Sequence, residues 1–207
     1  YDFFRGASHE LKTPLASLKI ILENMKYNIG KYKNRDAYIG DCIDIVDGLT
    51  KNISQILSVS SLEHLKNDEE FLNINDILEG VLRKYEVLAN QKNIKINNCL
   101  SNETIYIGKT ALKIILSNLI SNAVKYTDES GTINIGVDDE WLYIENSYGN
   151  KKSIDMEKLF EVKFDLNKET SNGLGLYIVS NLLNNYNIKY KALQNESCFV
   201  FKIELSI

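Results

Sequence analysis

"LSNLISNAVKYT", residues 116–127, gives one helix two chemically different faces. Asn118, Asn122 and Lys125 fall at steps of four and three and share one side. Leu116, Leu119, Ile120 and Ala123 take the other and suit the surface of a sheet. Carboxamide oxygens are hard ligands for Mg²⁺ and a lysine is a point charge for phosphate, so the polar side can hold a polyphosphate. Alone, it reads better as a merely solvated helix face.

The surrounding segments choose between these readings. The helix is predicted over residues 110–126. Before it, residues 71–74 (FLNI), 94–100 (IKINNCL) and 104–107 (TIYI) alternate as short strands. A helix carrying Ile77, Leu78, Val81, Leu82, Tyr85 and Leu88 starts from a cap at Asn75 or Asp76. After it, "TINIGV", "LYIEN", "IKYKALQ" and "CFVFKIEL" are further strands. The expectation is an α+β two-layer sandwich in which helices cover one face of a mixed sheet. In "TSNGLGLYIVSNLL", residues 170–183, Gly173 and Gly175 flank Leu174 at the opening of another helix. There, backbone N–H groups and the positive helix end can approach phosphate oxygens that a side chain would block. The preceding residues 161–172 are polar and weakly patterned, as a lid over a bound nucleotide would be.

Ahead of this half the period changes. Leu11, Leu15, Leu18, Leu22, Met25 and Ile29 alternate steps of four and three, and so do Ile39, Cys42, Val46, Leu49, Ile53 and Ile56. "GKYKN", residues 30–34, separates them, which makes a helical hairpin. Ile20, Ile21, Ile43, Ile45 and Leu57 exceed what two helices can bury, so a second copy is expected to complete a dimeric four-helix bundle. The polar "KNDEE" after Leu65 marks the break between domain 1–66 and domain 67–207, with a hinge near residues 66–70.

The 207 residues carry a net charge of -4, which speaks against non-specific nucleic-acid binding. Three scattered cysteines, Cys42, Cys99 and Cys198, form no disulfide or zinc pattern and read as small apolar fillers in a reducing compartment. No apolar run approaches the roughly 20 residues of a membrane span, and no signal peptide precedes the first motif. A cytoplasmic piece cut from a longer protein is expected, since the chain opens at Tyr1 without methionine.

Four motifs in this order carry a resemblance. "SHELKTP", residues 8–14, resembles the phospho-acceptor motif of sensor histidine kinases, and "NLISNAVKYT" resembles their N box. "EKLFEVKF" is similar to their F box and "SNGLGLYIV" to their second glycine box. The match covers nearly the whole chain, and "FFRGASHELKTPLASLKIILENM" looks like the kinases of inducible vancomycin resistance. The resemblance implies the histidine kinase ATPase fold, ATP and Mg²⁺ as cofactors, a homodimer and a response regulator as partner. It further implies a plasma-membrane anchor outside this piece and phosphatase activity toward the regulator.

Residue by residue, the resemblance makes His9 the phosphate acceptor, Glu10 the neighbour that orients its imidazole and Thr13 the residue that places water in the reverse reaction. Pro14 would bend the helix. Asn122 becomes the Mg²⁺ ligand, with Asn118 one turn earlier, and Lys125 and Tyr126 contact phosphate and nucleotide. Gly173, Leu174 and Gly175 cradle phosphate, while Phe160 and Phe164 either anchor the lid or belong to the core. Asn146, in "IENSYGNKKSID", stands where the family carries an adenine-binding Asp, so that contact loses its charge assistance. His64 has no such company and reads as a solvated residue near a helix end. Because the Asn118 slot holds no acid to activate water, transfer to His9 is favoured over a nucleotide-hydrolysing ATPase, while the altered first glycine box around Asn146 motivates the other alternative, a nucleotide-sensing scaffold without phosphotransfer.

Overall fold

A computed structural model describes residues 2–61, 68–148, 159–160 and 174–205, without the side chains of 2–10, 51, 52, 54–61 and 174. Gly173, Phe164, His64, the lid stretch 161–172 and part of the hinge fall outside these residues. The described residues divide into two compact units, 2–61 and the remainder.

The first unit is the hairpin: α1 (Asp2–Lys26), a 3-10 turn (Gly30–Lys33) and α2 (Arg35–Ser61). Pro14 lies inside α1. At the turn, Asn28 and Gly30 take positive φ. Arg35 ties the turn down, its Nε donating to the Met25 carbonyl at 3.2 Å and its Nη2 to Asn28 Oδ1 at 3.2 Å. The apolar positions separate into two stripes. Leu11, Leu18, Met25, Cys42 and Leu49 are buried or half-buried within the pair. Leu15, Leu22 and Ile29 on α1 and its exit, and Ile39, Val46 and Ile53 on α2, remain exposed at steps of seven. Ile43 joins them at 54% exposure.

In the second unit, β1 (Glu69–Asn73) pairs antiparallel with β3 (Thr104–Gly108) in a two-stranded sheet of its own. The five-stranded mixed sheet has the order β2-β4-β5-β7-β6, formed by β2 (Lys95–Asn98), β4 (Thr132–Asp138), β5 (Trp141–Ser147), β6 (Tyr190–Gln194) and β7 (Cys198–Glu204). Among the described residues only β2 and β4 run parallel. Alternation inside 71–74 and 104–107 identifies strands but says nothing about their partners, which is why the separate small sheet was not foreseen.

Among the described residues three helices belong to this unit: α3 (Ile74–Gln91), α4 (Lys109–Tyr126) and α5 (Leu174–Asn185). Asn73, not Asn75 or Asp76, caps α3, its side chain accepting from Asp76 N at 3.2 Å. Ile115, Leu116 and Ile120 of α4, with Val179 and Leu182 of α5, are wholly buried, as are Ile133, Ile135, Leu142 and Ile203 of the sheet. These residues form the core of the α+β sandwich. The cysteine expectation needs one correction: Cys99, at the end of β2, is exposed rather than a filler. Among the described residues no helix is long and apolar enough to cross a membrane.

Candidate nucleotide site

The amphipathic pattern of α4 places its functional face. With Ala111, Leu112, Ile115, Leu116, Leu119, Ile120, Ala123 and Val124 buried, Asn118 and Asn122 are left half-buried and Lys125 and Tyr126 exposed. Asn118 Nδ2 donates to the Ile114 carbonyl at 2.9 Å, which fixes the amide plane. Asn122 has no hydrogen-bond partner among the described residues. Lys125 Nζ lies 5.6 Å from the centre of the Tyr126 ring.

The first turn of α5 comes against this face. A Cβ built on Gly175 would lie 3.1 Å from Asn118 Oδ1 and 3.6 Å from Asn122 Nδ2. Gly175 therefore has a local role: a Cβ there would press on the Asn118 carboxamide, and its absence lets the helix start lie close to both carboxamides. Helix start, Asn118 and Asn122 form one polar junction. The backbone of Leu174 opens the same turn.

Asn146 sits at the end of β5, alternating with Leu142 and Ile144 on the buried side of the strand. It is 5% exposed, and its sole described hydrogen bond is a long one, Nδ2 to the Ser147 carbonyl at 3.5 Å. Its Oδ1 has no partner among the described residues. A buried acceptor left unpaired costs free energy unless something supplies a donor. The backbone around it is firmly held. Thr132 N donates to Ser147 Oγ at 2.8 Å, Tyr148 N to the Ser197 carbonyl at 2.9 Å and Tyr148 Oη to the Asn195 carbonyl at 2.7 Å.

Phe160 packs edge-on against Tyr190 and Phe201, with ring centroids 5.3 and 6.1 Å away, and Tyr190 and Phe201 stack on each other. Phe160 thus packs against β6 and β7 of the sheet. In the hairpin, Thr13 is exposed on α1, while His9 and Glu10 are placed on that helix by their backbone alone.

These residues fit a nucleotide. A junction that a Cβ would crowd, an unpartnered carboxamide at Asn122 and an unpaired buried acceptor at Asn146 are what phosphates, a hard cation and an exocyclic amino group would complete.

Residues 108–207 match the family of histidine kinase-, DNA gyrase B- and HSP90-like ATPases. Over 209 residues the chain is 40% identical to the sensor histidine protein kinase HK06 of Streptococcus pneumoniae, covering 99% of this chain and 47% of that one. The chain belongs to the sensor histidine kinases. It is also 32% identical to the sensor protein VanSB of Enterococcus faecalis, over 94% of this chain and 46% of the relative. It therefore spans about half the length of these relatives.

Solved structures agree on the fold. The Acinetobacter baumannii histidine kinase AdeS superposes with a TM-score of 0.75 at 19% identity, covering 96% of this chain and 97% of that one. Histidine kinase ThkA, in a complex with response regulator protein TrrA, gives 0.70 at 19% identity, covering 99% and 61%. The expected hairpin followed by a histidine kinase ATPase fold is the architecture found.

Sequence reasoning missed Tyr85 and Lys92, which bind α4 from behind. Each reads as an ordinary residue of an amphipathic helix, and its partner lies 32 or more residues away.

Proposed function

We propose that this chain is the catalytic core of a two-component sensor kinase, transferring the γ-phosphoryl group of ATP to His9 and from there to an aspartate of a response regulator. The observation that carries the reading is the junction of Gly175 with Asn118 and Asn122, in a chain whose α1 also presents "SHELKTP". The two domains in this reading are the hairpin, 1–66, and the nucleotide domain, 67–207.

The roles follow from the side chains. Asn146 Oδ1 accepts the adenine amino group, and its confinement at the end of a hydrogen-bonded strand spares it reorganisation on binding. Asn118, Asn122, Lys125 and Tyr126, with the N–H groups opening α5 at Gly173, Leu174 and Gly175, hold the phosphates. Asn122 would hold Mg²⁺ through its carboxamide oxygen, and the bound cation would screen the phosphate charge. Glu10 keeps the His9 imidazole in the tautomer whose other nitrogen carries the free lone pair. That nitrogen bonds to the γ-phosphorus as the bridging bond to ADP breaks. Thr13, one turn after His9, positions water for the opposite task, dephosphorylation of the regulator.

A second copy of the chain is the proposed cover of the exposed heptad stripe Leu15, Leu22, Ile29, Ile39, Val46, Ile53. Two stripes per hairpin, one already used internally, are what a four-helix bundle requires. The complex of ThkA with TrrA supports a response regulator receiver as the other protein partner. Nucleic acid is no partner in this reading, and a bacterial plasma-membrane anchor belongs to segments beyond these 207 residues, which work in the cytoplasm. A role in glycopeptide resistance rests on the likeness to VanSB alone.

Incubation of the purified chain with Mg·ATP is expected to give an acid-labile, alkali-stable label that His9→Gln abolishes. An unlabelled wild-type chain, or equal labelling of the variant, overturns the reading.

A further inference from the structure

The last turn of α4 is held by a side chain outside all the motifs. A helix leaves its final carbonyls without intrahelical donors. In α4 the Ala123 carbonyl accepts from Thr127 N at 2.9 Å and Thr127 Oγ1 at 2.6 Å. The next acceptors go to Lys92, whose Nζ donates to the carbonyls of Val124 at 2.9 Å, Lys125 at 3.0 Å and Thr127 at 2.6 Å.

Lys92 is itself fixed from both sides. It is the C-terminal cap of α3, its N–H donating to the Leu88 carbonyl at 3.3 Å. Its own carbonyl accepts from Ser130 N at 2.8 Å, in the turn that follows α4. Two helical turns earlier on α3, Tyr85 Oη lies 3.3 Å from Ser117 Oγ. Tyr85 with Ser117 and Lys92 with Val124 are separated by the same 32 residues, so α3 and α4 run parallel with their C-termini together. Two negative helix ends side by side repel each other, and one ammonium shared between them offsets that. The pinned turn carries Lys125 and Tyr126 and begins just after Asn122.

We propose that Lys92 is a positioning residue for the nucleotide phosphates, acting through the terminal turn of α4. The inference rests on the nucleotide-binding reading above. Lys92 neutralises the helix end that an incoming polyphosphate would otherwise meet, and it holds Asn122, Lys125 and Tyr126 at one height relative to the start of α5. Adenosine, which has no phosphate, is indifferent to both effects.

The test is titration calorimetry on the whole chain with Mg²⁺ and ATP, ADP or adenosine, with thermal melting as the control for folding. Lys92→Met is expected to weaken ATP and ADP by about five- to tenfold and adenosine by less than about twofold. Lys92→Arg, which keeps the charge and several donors, is expected to recover phosphate-dependent affinity to within about threefold. If Lys92→Met melts below the assay temperature, Lys92→Gln is measured in its place and judged by the same ratios. Equal losses for ATP and adenosine, or an unchanged ATP affinity, overturn the proposal. A wild-type chain that binds none of the three ligands refutes the nucleotide reading itself, whereas normal wild-type binding with an indifferent variant refutes the role of Lys92 alone.

Discussion

Replacing Gly175 with alanine sets two effects of similar size against each other. Gly175 is the second residue of α5, so alanine recovers up to about 1 kcal/mol of helix propensity. Against this, the new Cβ would stand 3.1 Å from Asn118 Oδ1, closer than ordinary van der Waals contact by a few tenths of an ångström. Asn118 cannot swing aside freely, because its Nδ2 is committed to the Ile114 carbonyl at 2.9 Å. Losing that bond costs about 0.5–1.5 kcal/mol. The terms nearly cancel, and stability is expected to change by less than about 1 kcal/mol. Binding has no such compensation. Displacing one carboxamide from a charged ligand forfeits about 1.5–3 kcal/mol, or roughly 10- to 100-fold in Kd for Mg·ADP. Chemical denaturation and calorimetry on the same sample separate the two quantities. Wild-type affinity in Gly175→Ala, or a loss of stability beyond about 2 kcal/mol with affinity retained, would show that this glycine serves packing and not the ligand.

Three further outcomes follow from other parts of the molecule. Ile43→Glu puts a charge into the exposed stripe of the hairpin and is expected to convert a dimer to a monomer by light scattering; an unchanged dimer would exclude this stripe as the interface. Asn146→Asp is expected to tighten ADP binding about three- to tenfold through a charge-assisted bond, while burial of the carboxylate lowers the melting temperature of the free protein. Weaker ADP binding in that variant contradicts the assigned purine contact. Phe160→Ala removes a ring packed on Tyr190 and Phe201 and is expected to cost about 1–3 kcal/mol, seen as a lower melting temperature. An unchanged melting temperature would mean that those ring contacts add nothing to the fold.

Local periodicity and partner choice differ in how far they can be read. The stripe of α4 and the glycine in the first turn of α5 are legible because each is encoded within one or two helical turns. Their meeting is suggested by the motif order, but the contact itself joins residues more than 50 positions apart, Gly175 with Asn118 and Asn122. The capping of α3 shifted to Asn73 because β1 ends there and leaves that side chain beside the first free amide. The private pairing of β1 with β3 depends on tertiary competition among strands, which alternation does not encode. Phe160 was ambiguous between core and lid, and its ring contacts place it against the sheet. The roles proposed for His9 and Glu10 rest on the pattern of "SHELKTP" and not on geometry, since only their backbone is described.

The doubled link between α3 and α4 also sets where this domain can change length. Tyr85 and Lys92 are seven residues apart, as are Ser117 and Val124. A residue inserted between the anchors of one helix would rotate everything beyond it by about 100° and advance it about 1.5 Å, so one link must break. An insertion at the exposed Asn102, in the turn between β2 and β3, leaves both spacings intact. Natural variation in length is therefore expected to collect in that turn and to avoid residues 85–92 and 117–124.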